Sequence, residues 1–252
     1  MKTEIYMTGR PASLAVLDYG LFRVHANGRV IGICGFLIRT DADEAVLVDT
    51  GFPAKYAYDI ATSSAEDNLG AFGEVLQCTP DNLPAAQLAK CGVAPGDIDL
   101  LILTHSHIDH VGGIAEFPQA PIVLSRAEHE SARPLYWGEV QPMDWPAREY
   151  RVIDADTRIG PGVHLMLTPG HAPGQMSLLV ELPETGPVLL TSDAISRPEE
   201  VTDGFEGAPD PAAARDSAAR LLALAEERDA FIIYGHWPEQ WPTLRKAPEI
   251  YT

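Results

Sequence analysis

The chain has 252 residues, 46% of them hydrophobic, enough for a well-filled core, and it carries a formal charge of −18 from 36 acidic and 18 basic side chains. So acidic a surface repels phosphate backbones and anionic headgroups, which excludes nucleic acid and membrane as expected partners. The opening MKTEIYMTGRPASL has neither the basic start nor the apolar stretch of a signal peptide, and Cys34, Cys78 and Cys91 stand at irregular spacings, so a soluble, cytoplasmic protein with free thiols is expected.

In chain order, GICGFLIRT (32–40) and EAVLVDTG (44–51) are short, apolar and rich in branched residues, and the DAD between them predicts a hairpin. Residues 52–80 hold Tyr56, Tyr58 and Phe72 without clean periodicity, which predicts a partly helical excursion that covers a site rather than a core element. NLPAAQLAKC (82–91) has a polar cap, an early proline and a closing Gly92, and predicts a helix. IDLLILTH (98–105) reads as a buried strand that ends in a histidine-rich turn. A strand over APIVLS (120–125), a short helix over RAEHESAR and an aperiodic Trp- and Pro-rich loop from Pro134 to Pro146 follow. Further strands are predicted over 163–169, 176–182 and 187–193, then a helix over 210–228 and a last strand over 230–236. This irregular alternation favours sheets covered by helices on their outer faces over a doubly wound parallel sheet. No repeat or linker divides residues 1–252, so a single domain is expected.

The chemistry concentrates in THSHIDHVGG (104–113), where His105, His107, Asp109 and His110 follow a strand within six positions. Imidazole and carboxylate are ligands of divalent metals, and a loop at a strand end turns close neighbours toward different points, so one turn can feed two ions. The bland alternative, a solvated polar turn, leaves unexplained why three of eight histidines gather there. Gly112 and Gly113 are expected to admit a tight path into a following helix, whose N-terminal dipole would face the site. Two more histidines end apolar strands beside glycine, His171 in LMLTPGHAPG and His236 in FIIYGHW, and Asp193 ends another in PVLLTSDAIS. Each alone reads as a cap or a surface residue; together with the first cluster they read as ligands. His25, His129 and His164 lie in ordinary polar settings.

The set HxHxDH, TPGH, a strand-ending Asp and a late Gly-His resembles the metallo-β-lactamase superfamily, and VDTG (48–51) matches its second-strand motif, whose aspartate orients the metal loop. The resemblance implies an α/β fold of αββα layers with the metal centre at one edge. It also implies two divalent ions, zinc by default with iron, cobalt or manganese as alternatives. His105, His107 and His171 would hold the first, Asp109, His110 and His236 the second, and Asp193 would bridge them. The spacings between these motifs and the ending GHWPEQWPTLRKAPEIY are similar to N-acyl-homoserine lactonases and pyridoxolactonase. The chain stops sixteen residues after His236, which leaves no room for a glyoxalase II type glutathione domain. Two positions depart from those lactonases: Ser196 stands where they carry a tyrosine, and Trp237 where they carry an aspartate.

A lactonase of this kind is expected to attack a small lactone with a metal-bridging hydroxide, with Asp109 passing a proton to the leaving alkoxide. Ser196, or Tyr136 swinging in, would replace the phenol that the lactonases bring to the substrate carbonyl. The substrate walls are expected from Phe72, Tyr136, Trp137 and Trp145, with Arg197 or Arg133 as holders of a substrate carboxylate. Other ester, thioester or lactam hydrolases share every ligand and differ only in the walls. A redox or non-enzymatic binding protein fits less well, because the chain keeps all seven ligands and no flavin domain. An exposed N-terminal or aromatic loop would allow two copies to pair.

Overall fold

The computed structural model describes residues 2–136 and 138–252. β1 (Lys2–Thr3) belongs to one sheet, and β2 (Pro11–Val24), β3 (Val30–Thr40), β4 (Ala45–Val48), β5 (Gly73–Gln77), β6 (Leu100–Ile102), β7 (Ile122–Ser125) and β8 (Tyr150–Ile153) make a second, in the order β5-β2-β3-β4-β6-β7-β8. The chain then returns to the first sheet with β9 (Thr157–Gly160), β10 (Val163–Leu167), β11 (Met176–Leu182), β12 (Gly186–Ser192) and β13 (Phe231–Tyr234), ordered β1-β9-β10-β11-β12-β13. The helices are α1 (Ile60–Glu66), α2 (Pro84–Lys90), α3 (Ile108–Val111), α4 (Arg126–His129), α5 (Glu199–Thr202) and α6 (Pro211–Arg228).

The alternation of side chains along each strand sorts the core into layers. From β2 and β4, Leu14, Val16, Val46 and Val48 face the first sheet and pack with its Val163, Leu165, Leu178, Val188 and Ile233. The intervening Ala15, Leu17 and Leu47 face outward, where Tyr56, Leu69, Leu88 and Val111 from the helical connections cover them. On the far face of the other sheet, Leu179 and Leu189 meet Ala214, Ala218, Leu221 and Ala225, one stripe of α6 at helical spacing. Asp210 caps that helix through Ala212 N and Ala213 N at 3.1 and 3.0 Å, Pro211 fills its first turn, and Asp229 closes it in a left-handed conformation. The layers are therefore αββα, as the resemblance implies.

The expected hairpin is β3 and β4, paired from Phe36↔Val48 to Arg39↔Ala45. Three of the expected segments take a different form. The excursion over 52–80 contributes β5 and buries Tyr56 and Leu69, so it is partly core. The helix expected over 82–91 starts at Pro84, because Asn82 is occupied in donating Nδ2–H to Asp18 O at 3.1 Å. Gly112 and Gly113 lead into a single 3-10 turn, Ile114–Glu116, and not a longer helix: α3 precedes them, and a Cβ on Gly112 would lie 2.2 Å from Pro53 N, so glycine there lets two loops touch.

β10, β12 and β13 run in one direction, so the loops after them leave from one edge of their sheet. The loop after β6 meets that edge, with Met176 N donating to Thr104 O at 2.8 Å.

Candidate metal centre

The seven side chains singled out in the sequence converge there. Their ligand atoms form three groups, each within 4.8 Å: His105, His107 and His171; His105, His110 and Asp193; Asp109, His110 and His236. In the first group His107 Nδ1 lies 3.1 Å from His105 Nε2 and 3.0 Å from His171 Nε2. Asp193 joins the groups through different oxygens, Oδ2 being 3.3 Å from His171 Nε2 while Oδ1 is 3.2 Å from His236 Nε2 and 3.5 Å from His110 Nε2. Asp109 Oδ2 stands 3.6 and 3.7 Å from the Nε2 atoms of His236 and His110.

A further ring of residues aims these ligands. Asp49, held at φ 60° just after β4, accepts Thr104 N–H at 2.8 Å and Thr104 Oγ1–H at 2.7 Å, and its Oδ2 lies 2.8 Å from His110 Nδ1. Ser192 Oγ donates to Thr104 Oγ1 at 2.9 Å, tying the strand before Asp193 to the histidine loop. Gly32 O lies 3.0 Å from His236 Nδ1, so a β3 carbonyl fixes the ring whose Nε2 faces the carboxylates. Buried Glu128 on α4 accepts from Ser106 N at 3.1 Å, from Ser106 Oγ, and from Gly174 N at 2.9 Å, joining the His105–His107 loop to the His171 loop. Gly235 has to be glycine, because a Cβ there would lie 2.4 Å from Ser192 O. Of this ring only Asp49 was legible in the sequence, through VDTG. Thr104, Ser192 and Glu128 are ordinary polar residues in sequence and carry no signal without the fold.

Two buried ligand atoms, His110 Nε2 and Asp193 Oδ1, have no hydrogen-bond partner among the described residues. Unpartnered buried acceptors and donors are costly, and a cation between them supplies what they lack. The donor set of imidazole nitrogens and carboxylate oxygens thus fits divalent metal. Burial holds His105 and His107 well below the usual imidazole range, helped by neighbouring imidazoles, and lowers His171 too. At His110 burial acts downward but Asp109, Asp49 and Asp193 outweigh it, pushing the ring up to about 10. His236 is likewise opposed by burial and lifted, by Asp193 first, to about 9. Asp193 itself, despite burial, is held well below the carboxylate range by His236, His171 and His110.

A cavity of about 1100 Å³ opens over the cluster, with His107, Asp109, His171, Asp193 and His236 in its floor. Phe72 lines it and stacks on Phe22 at 5.8 Å between ring centroids; Ser196 and Arg197 line it as well. Tyr136 and Trp145 do not. Tyr136 is buried with its phenol donating to Asp67 Oδ2 at 3.1 Å, and its backbone braces the metal loop through Tyr136 N to Ser106 O at 2.7 Å and Ile108 N to Tyr136 O at 2.8 Å. Trp145 donates Nε1–H to Ser131 O at 2.9 Å and packs against Tyr150. Both are therefore loop-packing residues rather than cavity walls, because an inward hydrogen-bond partner was available to each. Arg133 pairs with Asp144 at 2.9 Å on the surface, and Trp137 lies outside the described residues.

The metallo-beta-lactamase superfamily pattern matches residues 35–236. The N-acyl homoserine lactonase AiiA of Bacillus thuringiensis subsp. kurstaki is 35% identical over 251 residues, 95% of this chain and 96% of that protein. Among solved structures, a mutant of B. thuringiensis AiiA with N-decanoyl-L-homoserine bound at its active site superposes with a TM-score of 0.82 at 30% identity, over 97% of this chain and 100% of that one. An N-acyl homoserine lactone hydrolase with the product N-hexanoyl-L-homoserine at its catalytic metal centre gives a TM-score of 0.81 at 31% identity, with the same coverage.

Proposed function

The chain belongs to the metallo-beta-lactamase superfamily, and from that premise we propose that it is a dinuclear metal-dependent lactonase that opens N-acyl-homoserine lactones. The observation that carries the reading is the divided carboxylate of Asp193, one oxygen facing His171 and the other facing His110 and His236. Whole-length similarity to lactonases supports the substrate class.

His105, His107 and His171 would hold one ion, Asp109, His110 and His236 the other, and Asp193 both. Two divalent ions, zinc by default, supply a water-derived nucleophile at neutral pH and a Lewis acid for the carbonyl. The protein's own groups do the rest. Asp109, at the floor of the cavity, takes the proton released as water adds to the carbonyl carbon and delivers it to the ring oxygen as the C–O bond breaks. Ser196, whose carbonyl accepts His236 N–H at 2.9 Å, presents a hydroxyl at the cavity wall where related lactonases carry a phenol, and donates it to the substrate carbonyl. Phe22, Phe52, Leu69 and Phe72 exclude water and hold the acyl chain. The reading takes residues 1–252 as one domain acting in the cytoplasm on a small molecule. The charge of −18 supports the absence of nucleic-acid and membrane partners, and no helix among the described residues is long and apolar enough to cross a membrane.

The experiment is a rate panel of acyl-homoserine lactones, γ-lactones, an aryl ester, a thioester and a β-lactam, with metal content measured on the same sample. Ring opening at about two metals per chain is the expected result. Cleavage of only the ester or thioester would keep the centre and overturn the substrate.

A further inference from the structure

We propose, on the lactonase reading, that Arg29 is a specificity residue whose guanidinium donates to the acyl-amide carbonyl of the substrate while the lactone ring sits over the His/Asp cluster. Arg29 lies in the connection between β2 and β3 and lines the same cavity as Asp193, Ser196 and His236. Its Nε and Nη1 are shut off from solvent without a hydrogen-bond partner, and its side chain forms no ion pair among the described residues. Arg197, on the same wall, also has an unpartnered Nε, but its Nη atoms are paired with Glu199 and Asp203 at 3.4 and 3.2 Å. A guanidinium kept half-buried with idle N–H donors is costly to the folded chain, and a ligand that brings an acceptor removes that cost on binding.

The charges nearby indicate what kind of acceptor. Away from the metal cluster the cavity wall carries Glu200, Asp203 and Glu206 beside Arg29 and Arg197, so carboxylates outnumber guanidiniums there and an anionic group on the substrate would gain no net attraction. A carbonyl oxygen accepts from Arg29 without adding charge. Its place along the cavity fits an amide as well. Arg29 stands just before β3, three residues from the Gly32 carbonyl that meets His236 Nδ1 at 3.0 Å, while Phe22, Val24 and Ile31 of the adjoining strands continue the wall as apolar surface. A molecule with ring, amide and aliphatic tail finds the cluster, a donor and an apolar wall in one cavity. The cavity, at about 1100 Å³, is far larger than a bare five-membered lactone needs.

The test compares wild type, Arg29→Met and Arg29→Lys on N-hexanoyl-homoserine lactone and on γ-butyrolactone, which has the ring and no amide. Arg29→Met is expected to lower the ratio of kcat/KM for the acylated lactone to that for γ-butyrolactone by about tenfold to a hundredfold, chiefly through KM, and Arg29→Lys to restore part of it. An unchanged ratio overturns the inference. Calorimetry with the γ-lactam analogue, which keeps the N-hexanoyl amide and lacks the ester, reads the same contact without hydrolysis. If wild type opens neither lactone, the lactonase reading fails, and Arg29 is judged on the lactam alone. Binding weakened about tenfold in Arg29→Met then upholds the amide contact. Equal binding, or none by wild type, overturns it.

Discussion

At His105, His107 and His171 imidazoles chiefly face one another, whereas at His110 and His236 they face the carboxylates of Asp49, Asp109 and Asp193. The first group keeps its rings neutral through burial; the second raises them to about 10 and about 9. Two sites that share one carboxylate and similar donors therefore begin from different protonation. A cation reaches neutral lone pairs in one and must displace protons in the other.

The change that would most damage both groups is Asp193→Ala, which removes a donor from each. It is expected to lower kcat/KM by about three orders of magnitude or more, with metal content by elemental analysis falling to about one per chain or less. Full retention of both ions would show that the groups do not depend on their shared acid. Asp49→Ala acts directly on His110 Nδ1 and reaches His105 only through Thr104, and is expected to weaken metal binding at the His110 group the more, by about tenfold to a hundredfold, read by competition with a chromophoric chelator. Equal weakening of both ions would dissolve the asymmetry.

Acidity sharpens it further. Since the folded values at His110 and His236 lie above the usual imidazole 6.5, their protons persist until pH rises through about 9 to 10. Cation affinity of that group should climb as pH rises toward about 9 by up to about tenfold per pH unit for each proton displaced, while the His105 group changes little. Calorimetry in buffers of different ionisation enthalpy counts the released protons, and equal release at both steps would remove the distinction. The smallest expected effect lies away from the ligands. Tyr136→Phe removes one hydrogen bond from Asp67, which keeps Tyr56 and Lys55, and should cost about 1 kcal/mol of stability, a fall in Tm of about 2–4 °C, with catalysis retained. A large loss of kcat at unchanged Tm would return the phenol to the substrate side.

The ligands were legible because they cluster in the turns that follow apolar strands, where a polar side chain has few other reasons to stand; the strand before His105 and the one before His236 announce themselves by content alone. β2 escaped notice despite its fourteen residues, since LDYG interrupts its alternation, where the pairing slips between Asp18 and Gly20. β8 and β9, four residues each near a sheet edge, carry Arg151 and Arg158 and lack an apolar face that sequence could register. Tyr136 and Phe72 illustrate a different limit. An aromatic residue in an aperiodic segment has the same composition whether it faces a cavity or a buried acid, and only the position of Asp67 decided between them. Arg29, in the polar turn HANGR, reads as a solvated charge until its neighbours are known.

Glu128 touches none of the seven ligands, yet through Ser106 and Gly174 it sets the separation of the loops that bring His107 and His171 within 3.0 Å of each other. The gauge of the centre is thus carried by a residue absent from the cavity lining. Over generations of selection for a new substrate, Phe72, Leu135 or Phe205 in that lining can be exchanged while Glu128 and the spacing it enforces stay as they are, so substrate range can diverge in this lineage faster than its metal chemistry.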